Sequence, residues 1–468
     1  MIPMSRNVLI IGGGSAGTGA AYRAAYCGAA VTLVESGCIL GGTSTLGGVN
    51  CWEPGIASAG LNRALYRRMS ETPLCVGVGR TVRPYEPESH IGLNGIEDGL
   101  GYEASLRRGD LGDLQTARVH FEPLALAKAM REELQQAGVK LVMNTAFGSV
   151  CADGERITGA RVTDLVTGER YLIPCDVLID CTADAVVCRS CGVKTYFGED
   201  AADDFREPSA PERRSGIVNG VSLCFRVAKG DRGCEAPAWV CETEAADWIA
   251  RGGLPCSNVN AYPNGDYNFN PLPLMQGGEY FEIPAPDRLR ILTARVYLYW
   301  EWMKREHGHR GFHLTGIFPR VGVRESWRCD TLCVTTENDL RKGASAQGDD
   351  VIALADHVLD THGQRSGQPK LPSALKEPYG IRAGSLIVKD YANLLVAGRC
   401  AGFSHLAASS CRLSRTMMDL GEAAGAMAAL SGDVREIRPA QVRERLRFNE
   451  YLEWVERSYY RIGNGSAD

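Results

Sequence analysis

The chain has 468 residues, 44% apolar and 23% charged, enough for two or three globular domains with sizeable cores. Lys plus Arg (51) against Asp plus Glu (56) leaves a formal charge of −5, which argues against nucleic acid as the main partner because phosphate backbones need a basic field. No stretch approaches the ~20 apolar residues of a membrane span, and 17 cysteines, odd in number and without framework spacing, suit reduced thiols in the cytoplasm rather than a disulfide scaffold.

In chain order, Asn7 to Ile11 (NVLII) is a short apolar run suited to a buried parallel strand. Its apolar part, Val8 to Ile11, is too short for the apolar segment of a signal peptide. Gly12-Gly13-Gly14-Ser15-Ala16-Gly17 follows, then a small-residue helix through Ala20 to Ala25. A second strand, Ala30 to Val34, ends at Glu35. This spacing predicts a dinucleotide site. Gly12 permits the tight turn, Gly14 lets the backbone approach a pyrophosphate, and Gly17 lets helix and strand pack. The helix start at Ser15 and Ala16 offers free N–H groups and a positive dipole end. Glu35 is placed to accept hydrogen bonds from a ribose diol.

A second Gly-rich loop comes soon after Glu35: Gly41-Gly42-Thr43-Ser44-Thr45, then Gly47-Gly48. A plain NAD domain does not need it, whereas a long dinucleotide running on toward a flavin ring does. FAD is therefore the expected cofactor. No histidine adjoins the loop, so noncovalent attachment is expected. Asn50, Cys51 and Trp52 are candidates to line the ring. Residues 53–118, rich in Arg and Gly, read as an insertion without an assigned role. Leu124 to Ala137 reads as a helix, Gly138 as its stop and Val139 to Met143 as a strand.

These features, with four later segments, resemble the FAD-dependent oxidoreductases of the glutathione-reductase-like superfamily, in the branch related to fumarate reductase flavoproteins (the FAD_oxidored group). In that family the strand near residue 140 leads to an adenine contact, here at Ala146 and Phe147. Val177 to Asp184 (VLIDCTAD) resembles the family's I-D-A-T-G-D and implies cofactor contacts at Thr182, Ala183 and Asp184. Ala183 replaces the usual Gly, so less freedom to take positive φ is expected there. Val321 to Arg328 (VGVRESWR) resembles I-G-V-R-E-T-R-R. Asn393 to Cys400 (NLLVAGRC) matches the last FAD strand, placing Gly398 and Arg399 at the cofactor. The match runs on through Ser404-His405, Ser409-Ser410 and Arg412 to Leu420-Gly421. Thr416 to Leu430 is a helix crowded with small residues, Gly421 among them. That crowding serves close packing, and the resemblance adds that the helix N-terminus points at the flavin pyrimidine edge.

The resemblance covers about residues 7–450 and implies an α/β fold: a Rossmann-like FAD-binding domain with an inserted α+β substrate domain. The expected division gives the FAD-binding domain residues 1–52, 119–204 and 378–435, with an insertion over 53–118. The substrate domain takes 205–377 and a helical tail 436–468. Within the substrate domain, Glu199 to Ser215 reads as a polar linker into it, Val221 to Val227 as a strand, and Leu289 to Glu306 as a helix with an aromatic stripe.

The chain lacks the C-x-x-x-x-C of disulfide reductases beside its first glycines. Cys188 and Cys191 form a C-x-x-C read as core thiols. No metal site is expected; His307, His309 and His313 read as surface or packing residues. No second dinucleotide motif is present, so the flavin must exchange electrons with a substrate and with dioxygen, a quinone or a carrier protein. His405 is the acid–base candidate, against a purely structural reading. Arg324 and Arg328 either hold a carboxylate or enolate or form an internal ion pair with Glu325. Arg412 is a candidate contact for flavin or substrate. The expected reaction is hydride transfer between a C–H bond of a small organic substrate and flavin N5. The oxidative direction leads. A C=C reductase fed by an electron carrier, or a flavin subunit that needs a partner chain, stays open, and the oligomeric state is not specified.

Overall fold

The computed structural model describes residues 6–53, 60–82, 117–230, 236–242, 247–248, 256–367, 375 and 377–453. Five apolar segments pair as a parallel sheet. They are β1 (Asn7–Ile11), β2 (Ala30–Val34), β3 (Lys140–Val142), β4 (Val177–Asp180) and β5 (Leu394–Val396). The order across the sheet is β5-β4-β1-β2-β3. Val8 is flanked by Val31 on one side and Val177 on the other. β4 and β5 are buried along their whole length, which is why they read as unbroken apolar runs. The strand order reverses at β1, and such a reversal opens a crevice beyond the carboxyl ends of β1 and β4.

Helices α1 (Ser15–Tyr26), α2 (Pro123–Gln136) and α3 (Ser414–Leu430) accompany this sheet. α1 and α3 touch through their backbones. A β carbon on Gly421 would lie 1.9 Å from the Ala16 carbonyl oxygen, one on Gly425 2.2 Å from that of Ala20, and one on Gly19 2.2 Å from that of Met418. Gly421, expected at the cofactor, is thus a packing residue between two helices. Gly17 does what its spacing predicts: a β carbon there would strike the Gly12 carbonyl oxygen.

The middle of the chain builds a second sheet of seven strands with antiparallel neighbours. Its order is Phe312–Ile317, Phe225–Lys229, Tyr267–Leu272, Cys256–Ala261, Val76–Val82, Ala117–Phe121, Cys51–Trp52. The strand expected over 221–227 starts later, and Val221 makes only an isolated bridge to Met275. Of the 53–118 segment, residues 54–59 and 83–116 lie outside the described residues; its strand Val76–Val82 belongs to this second sheet. Helix Ala285–Glu306 covers the sheet, and its Tyr299 and Trp300 are buried against Phe225. The aromatic stripe is core. The tail is less solvated than its charge suggests: Phe448 and Tyr451 pack on Val351 and Leu354, while 454–468 lie outside the described residues. Among the described residues no helix is long and apolar enough to cross a membrane.

Gly421→Ala should force α1 and α3 apart and lower stability by about 1–3 kcal/mol, the usual range for overpacking. Urea denaturation checks this, and an unchanged midpoint would show that the helices separate freely.

Candidate functional site

The carboxyl ends of β1, β2 and β4 open onto a cavity of about 760 Å³, within the range of roughly 300–1,000 Å³ typical of ligand clefts. Its floor is the turn from β1 into α1. Gly12 has φ +102°, and a β carbon there would lie 2.5 Å from the Cys181 carbonyl oxygen, so the turn requires glycine. Gly14 differs. Its backbone is extended (φ −72°), and a β carbon would meet no protein atom within 4 Å. The missing side chain leaves open cavity. Ser15 and Ala16 begin α1 at this spot, where first-turn N–H groups lack acceptors within the helix. Together they form a cradle for an anion.

Glu35 is buried at the end of β2 and lines the cavity. Its carboxylate accepts the N–H groups of Gly13 (2.7 Å) and Gly37 (2.6 Å), which fixes its orientation; Arg320 stands 3.6 Å away. Val34, Ala146 and Phe147 line the same part of the cavity. The second glycine loop is tied to the first by a hydrogen bond from the Gly41 N–H to the Gly13 carbonyl (2.8 Å). Gly42, Thr43 and Ser44 line the cavity, whereas Gly41, Thr45, Gly47 and Gly48 do not. Those four shape the loop: Thr45 Oγ1 donates to the Leu40 carbonyl at 2.6 Å, and the Gly48 carbonyl accepts from Asn268 at 2.9 Å. Ser414, at the start of α3, hydrogen-bonds through its hydroxyl with Ser15 (2.8 Å) and Ser44 (3.0 Å). Sequence reading missed Ser414; its place at the head of the small-residue helix was the available signal.

After β4, buried Asp180 accepts the N–H groups of Thr182 and Cys188, both at 2.9 Å, and Thr182 Oγ1 at 2.7 Å. Burial pushes its carboxyl up, against those hydrogen bonds. The turn they hold presents Thr182, Ala183 and Asp184 to the cavity. Contrary to expectation, Ala183 takes φ +67°, a conformation costing a side-chain-bearing residue roughly 1–2 kcal/mol. Arg399 donates to Asp184 and to Ser326 Oγ, each at 2.6 Å. Burial disfavours the ionised Asp184, but Arg399 and then Ser326 outweigh it and hold the carboxyl below its usual range. Gly398 lies beside Ala16, with a β carbon 3.4 Å from the Ala16 side chain.

Beyond this turn the cavity reaches Asn270 of the second sheet, and Ser222, Arg324 and Arg412 line it there. Arg324 donates to the Gly220 carbonyl (2.9 Å), Ser222 Oγ (2.9 Å) and Asn270 Oδ1 (3.4 Å). Arg412 donates to the Asp360 carboxylate at 3.1 Å, and that carboxylate also meets His362 Nε2 at 2.8 Å. Asp360 and His362 carried no signal in the sequence; a loop after Val351–Ala355 brings them here.

The match to known proteins follows the same span. Residues 7–446 fit the model of the FAD dependent oxidoreductase family. The chain belongs to that family. It is an FAD-dependent oxidoreductase, and FAD is its cofactor. None of the curated proteins matches it. Solved structures give distant likenesses. A myxobacterial chondrochloren halogenase is 11% identical over 98% of this chain and 83% of that one, with a TM-score of 0.45. The L-amino acid deaminase of Proteus myxofaciens is 14% identical over 92% and 90%, at 0.43. The L-proline dehydrogenase of P. horikoshii is 12% identical over 96% and 99%, at 0.41.

Two expected catalytic residues of the oxidoreductase lie outside the cavity. Arg328 is fully buried, donates to Asp200 (2.8 Å) and the Gly198 carbonyl (2.6 Å), and stands 3.6 Å from Glu325. It is the internal ion pair of the two readings left open above. His405 is buried with Nδ1 2.8 Å from Glu325 Oε1. Burial lowers its pKa, but the Glu325 carboxylate more than reverses this, and the net direction is up; Glu325 moves down in return. The sequence could not separate this buried pairing from a catalytic placement. Asn50, Cys51 and Trp52 also lie elsewhere: Asn50 hydrogen-bonds Ala261, and Cys51–Trp52 is the edge strand of the second sheet. His309 is buried beside Phe269 and Trp300, and His307 packs on Trp302. Cys188 and Cys191 are thiols whose pKa values are raised, the first chiefly by a hydrogen bond with Cys329 and the second by burial to about 11.

The His405–Glu325 pair makes stability depend on pH. With its folded pKa above the unfolded value of ~6.5, protonated His405 contributes fully below that pH and progressively less as pH rises through the folded value. Glu325, with a depressed pKa, contributes above its unfolded value of ~4.3 and less as pH falls through its folded one. His405→Gln should therefore cost about 3 kcal/mol near pH 6, and the deficit should shrink at alkaline pH. Urea titrations across that range check both points.

Proposed function

We propose that this oxidoreductase is a Rossmann-type flavoprotein of the glutathione-reductase-like superfamily, related to fumarate reductase flavoproteins, that oxidises a C–H bond of a small organic substrate. The reading rests on one observation: a single cavity joins the glycine turn and Glu35 at one end to Arg324 and Arg412 at the other. FAD fits the residues present, because the open space at Gly14 and the first turn of α1 suit its pyrophosphate and the fixed Glu35 carboxylate suits a ribose diol. When bound, noncovalently, FAD supplies a two-electron acceptor at N5 that passes electrons to dioxygen, a quinone or a carrier protein.

The chain's own residues do the rest. Gly12, Gly14, Ser15 and Ala16 cradle the pyrophosphate, with Gly42, Thr43 and Ser44 beside it. Val34, Ala146 and Phe147 flank the adenine. Thr182, Ala183, Asp184, Gly398 and Arg399 line the path toward the ring, and the start of α3 at Leu413, Ser414 and Met417 directs its positive end into the cavity. Arg324 and Arg412 orient the substrate. Arg328 and His405 hold the structure beneath them. The FAD-binding part is assigned residues 1–52, 119–204 and 378–435 except for the strands Cys51–Trp52 and Ala117–Phe121, which with Val76–Val82 join the sheet of the substrate part, 205–377. Fifteen cysteines among the described residues are free thiols, which suits a reducing compartment such as the cytoplasm.

The purified protein should carry flavin absorbance that bleaches anaerobically on addition of its substrate and returns with an acceptor; protein that neither retains nor takes up flavin would overturn the reading. Gly14→Ala should fold with a denaturation midpoint close to that of the flavin-free wild type, because its β carbon meets only cavity. It should lose FAD affinity by about tenfold or more, the cost of displacing a well-placed phosphate contact. Equilibrium dialysis with FAD provides the measurement.

A further inference from the structure

Other buried or half-buried arginines have a carboxylate. Arg328 has Asp200, Arg399 has Asp184, Arg226 has Glu122 and Arg23 has Glu422. Arg324 does not. Its three hydrogen bonds go to a backbone carbonyl, a hydroxyl and an amide oxygen, all neutral, and it makes no ion pair among the described residues. It nevertheless lines the cavity beside a second guanidinium, Arg412. Arg412 shares the Asp360 carboxylate with His362, and its own Nε is buried without a hydrogen-bond partner. Two guanidinium groups thus line one cavity, and only one of them is bonded to a carboxylate. Burial, and then repulsion from Arg412, pull the Arg324 pKa down. Burial also lowers His362, which faces both arginines and Asp360, and His357, which faces Arg412, Asp360 and Glu53.

A half-buried guanidinium on a cavity wall, whose hydrogen bonds all go to neutral acceptors, keeps its charge available to an anion in the cavity. Those three bonds leave Arg324 one N–H on Nη1 and the one on Nε, and an arginine N–H makes a charge-assisted hydrogen bond with a carboxylate. Ser222 and Asn270 supply polar groups at the same place. We propose that the second-sheet end of the cavity takes the carboxylate of a small organic acid, bound by Arg324 and Arg412, so that the substrate class is an organic acid. The assignment rests on the flavoenzyme reading for the identity of the bond oxidised, but not for the binding event itself. Ser222 and Asn270 hold the Arg324 fork in place and act as positioning residues.

The test is equilibrium dialysis of the purified full chain, with whatever flavin it retains, against acetate, lactate, benzoate and succinate. Each is paired with its neutral amide. At least one acid should bind about tenfold or more tightly than its amide, the usual weight of a charge-assisted contact. Arg324→Met should abolish that preference, and Arg324→Lys should restore part of it. Acids and amides binding alike, or an Arg324→Met variant that keeps the preference, would overturn the proposal. So would an unchanged preference accompanied by a shifted flavin reduction potential, which would give the guanidinium to the flavin ring. Flavin content is read separately by absorbance. Its absence counts against the flavoenzyme reading alone, since the acid-against-amide comparison needs no flavin.

Discussion

Two helices meet backbone to backbone, and the shape of the cavity follows from that contact. α1 and α3 are separated in sequence by most of the chain, yet Gly19, Gly421 and Gly425 leave no side chain between them. The approach brings the first turns of both helices to the same cavity, where the hydroxyls of Ser15, Ser44 and Ser414 meet. Two positive helix ends directed at one place create a field that favours an anionic ligand without any lysine or arginine in the first glycine turn. Wider spacing of the helices would lose that convergence, whatever the strand order.

A second network supports the opposite end. His405 binds Glu325, and the other oxygen of Glu325 accepts two hydrogen bonds from Asn219. Asn219 Oδ1 accepts the His362 N–H at 2.9 Å, and Gly220, next in the chain, donates its N–H to the His362 carbonyl at 2.7 Å while its own carbonyl holds Arg324. The loop after β5 is thereby connected, through buried groups, to both arginines of the cavity. Groups of this kind are costly to bury and useful for fixing one geometry among several.

What could be read from the sequence was local. Gly12, Gly14 and Glu35 lie within one strand–turn–helix–strand unit, so their placement follows from spacing alone. Arg324 and Arg328 are four residues apart with similar neighbours, yet one faces the cavity and the other is buried on Asp200, 128 positions earlier. Only the fold separates them. Gly421 and Gly14 are both glycines in helix-start or helix context, but one is filled by another helix and the other by nothing. Ala183 shows the limit of propensity: Asp180 holds its turn tightly enough that the absence of glycine does not prevent positive φ. Asp360 and His362 could not be found, because only their meeting with Arg412 makes them notable.

The second sheet draws its strands from several stretches of chain. Cys51–Trp52, Val76–Val82 and Ala117–Phe121 precede α2, and the remaining strands lie between β4 and β5. The polypeptide therefore passes back and forth between the two sheets rather than finishing one before starting the other. Such a chain cannot be cut into separately expressible halves, and the two layers are expected to unfold as a cooperative unit rather than as beads on a string. The two sheets would then have been constrained together throughout their divergence, since neither could be exchanged as a module.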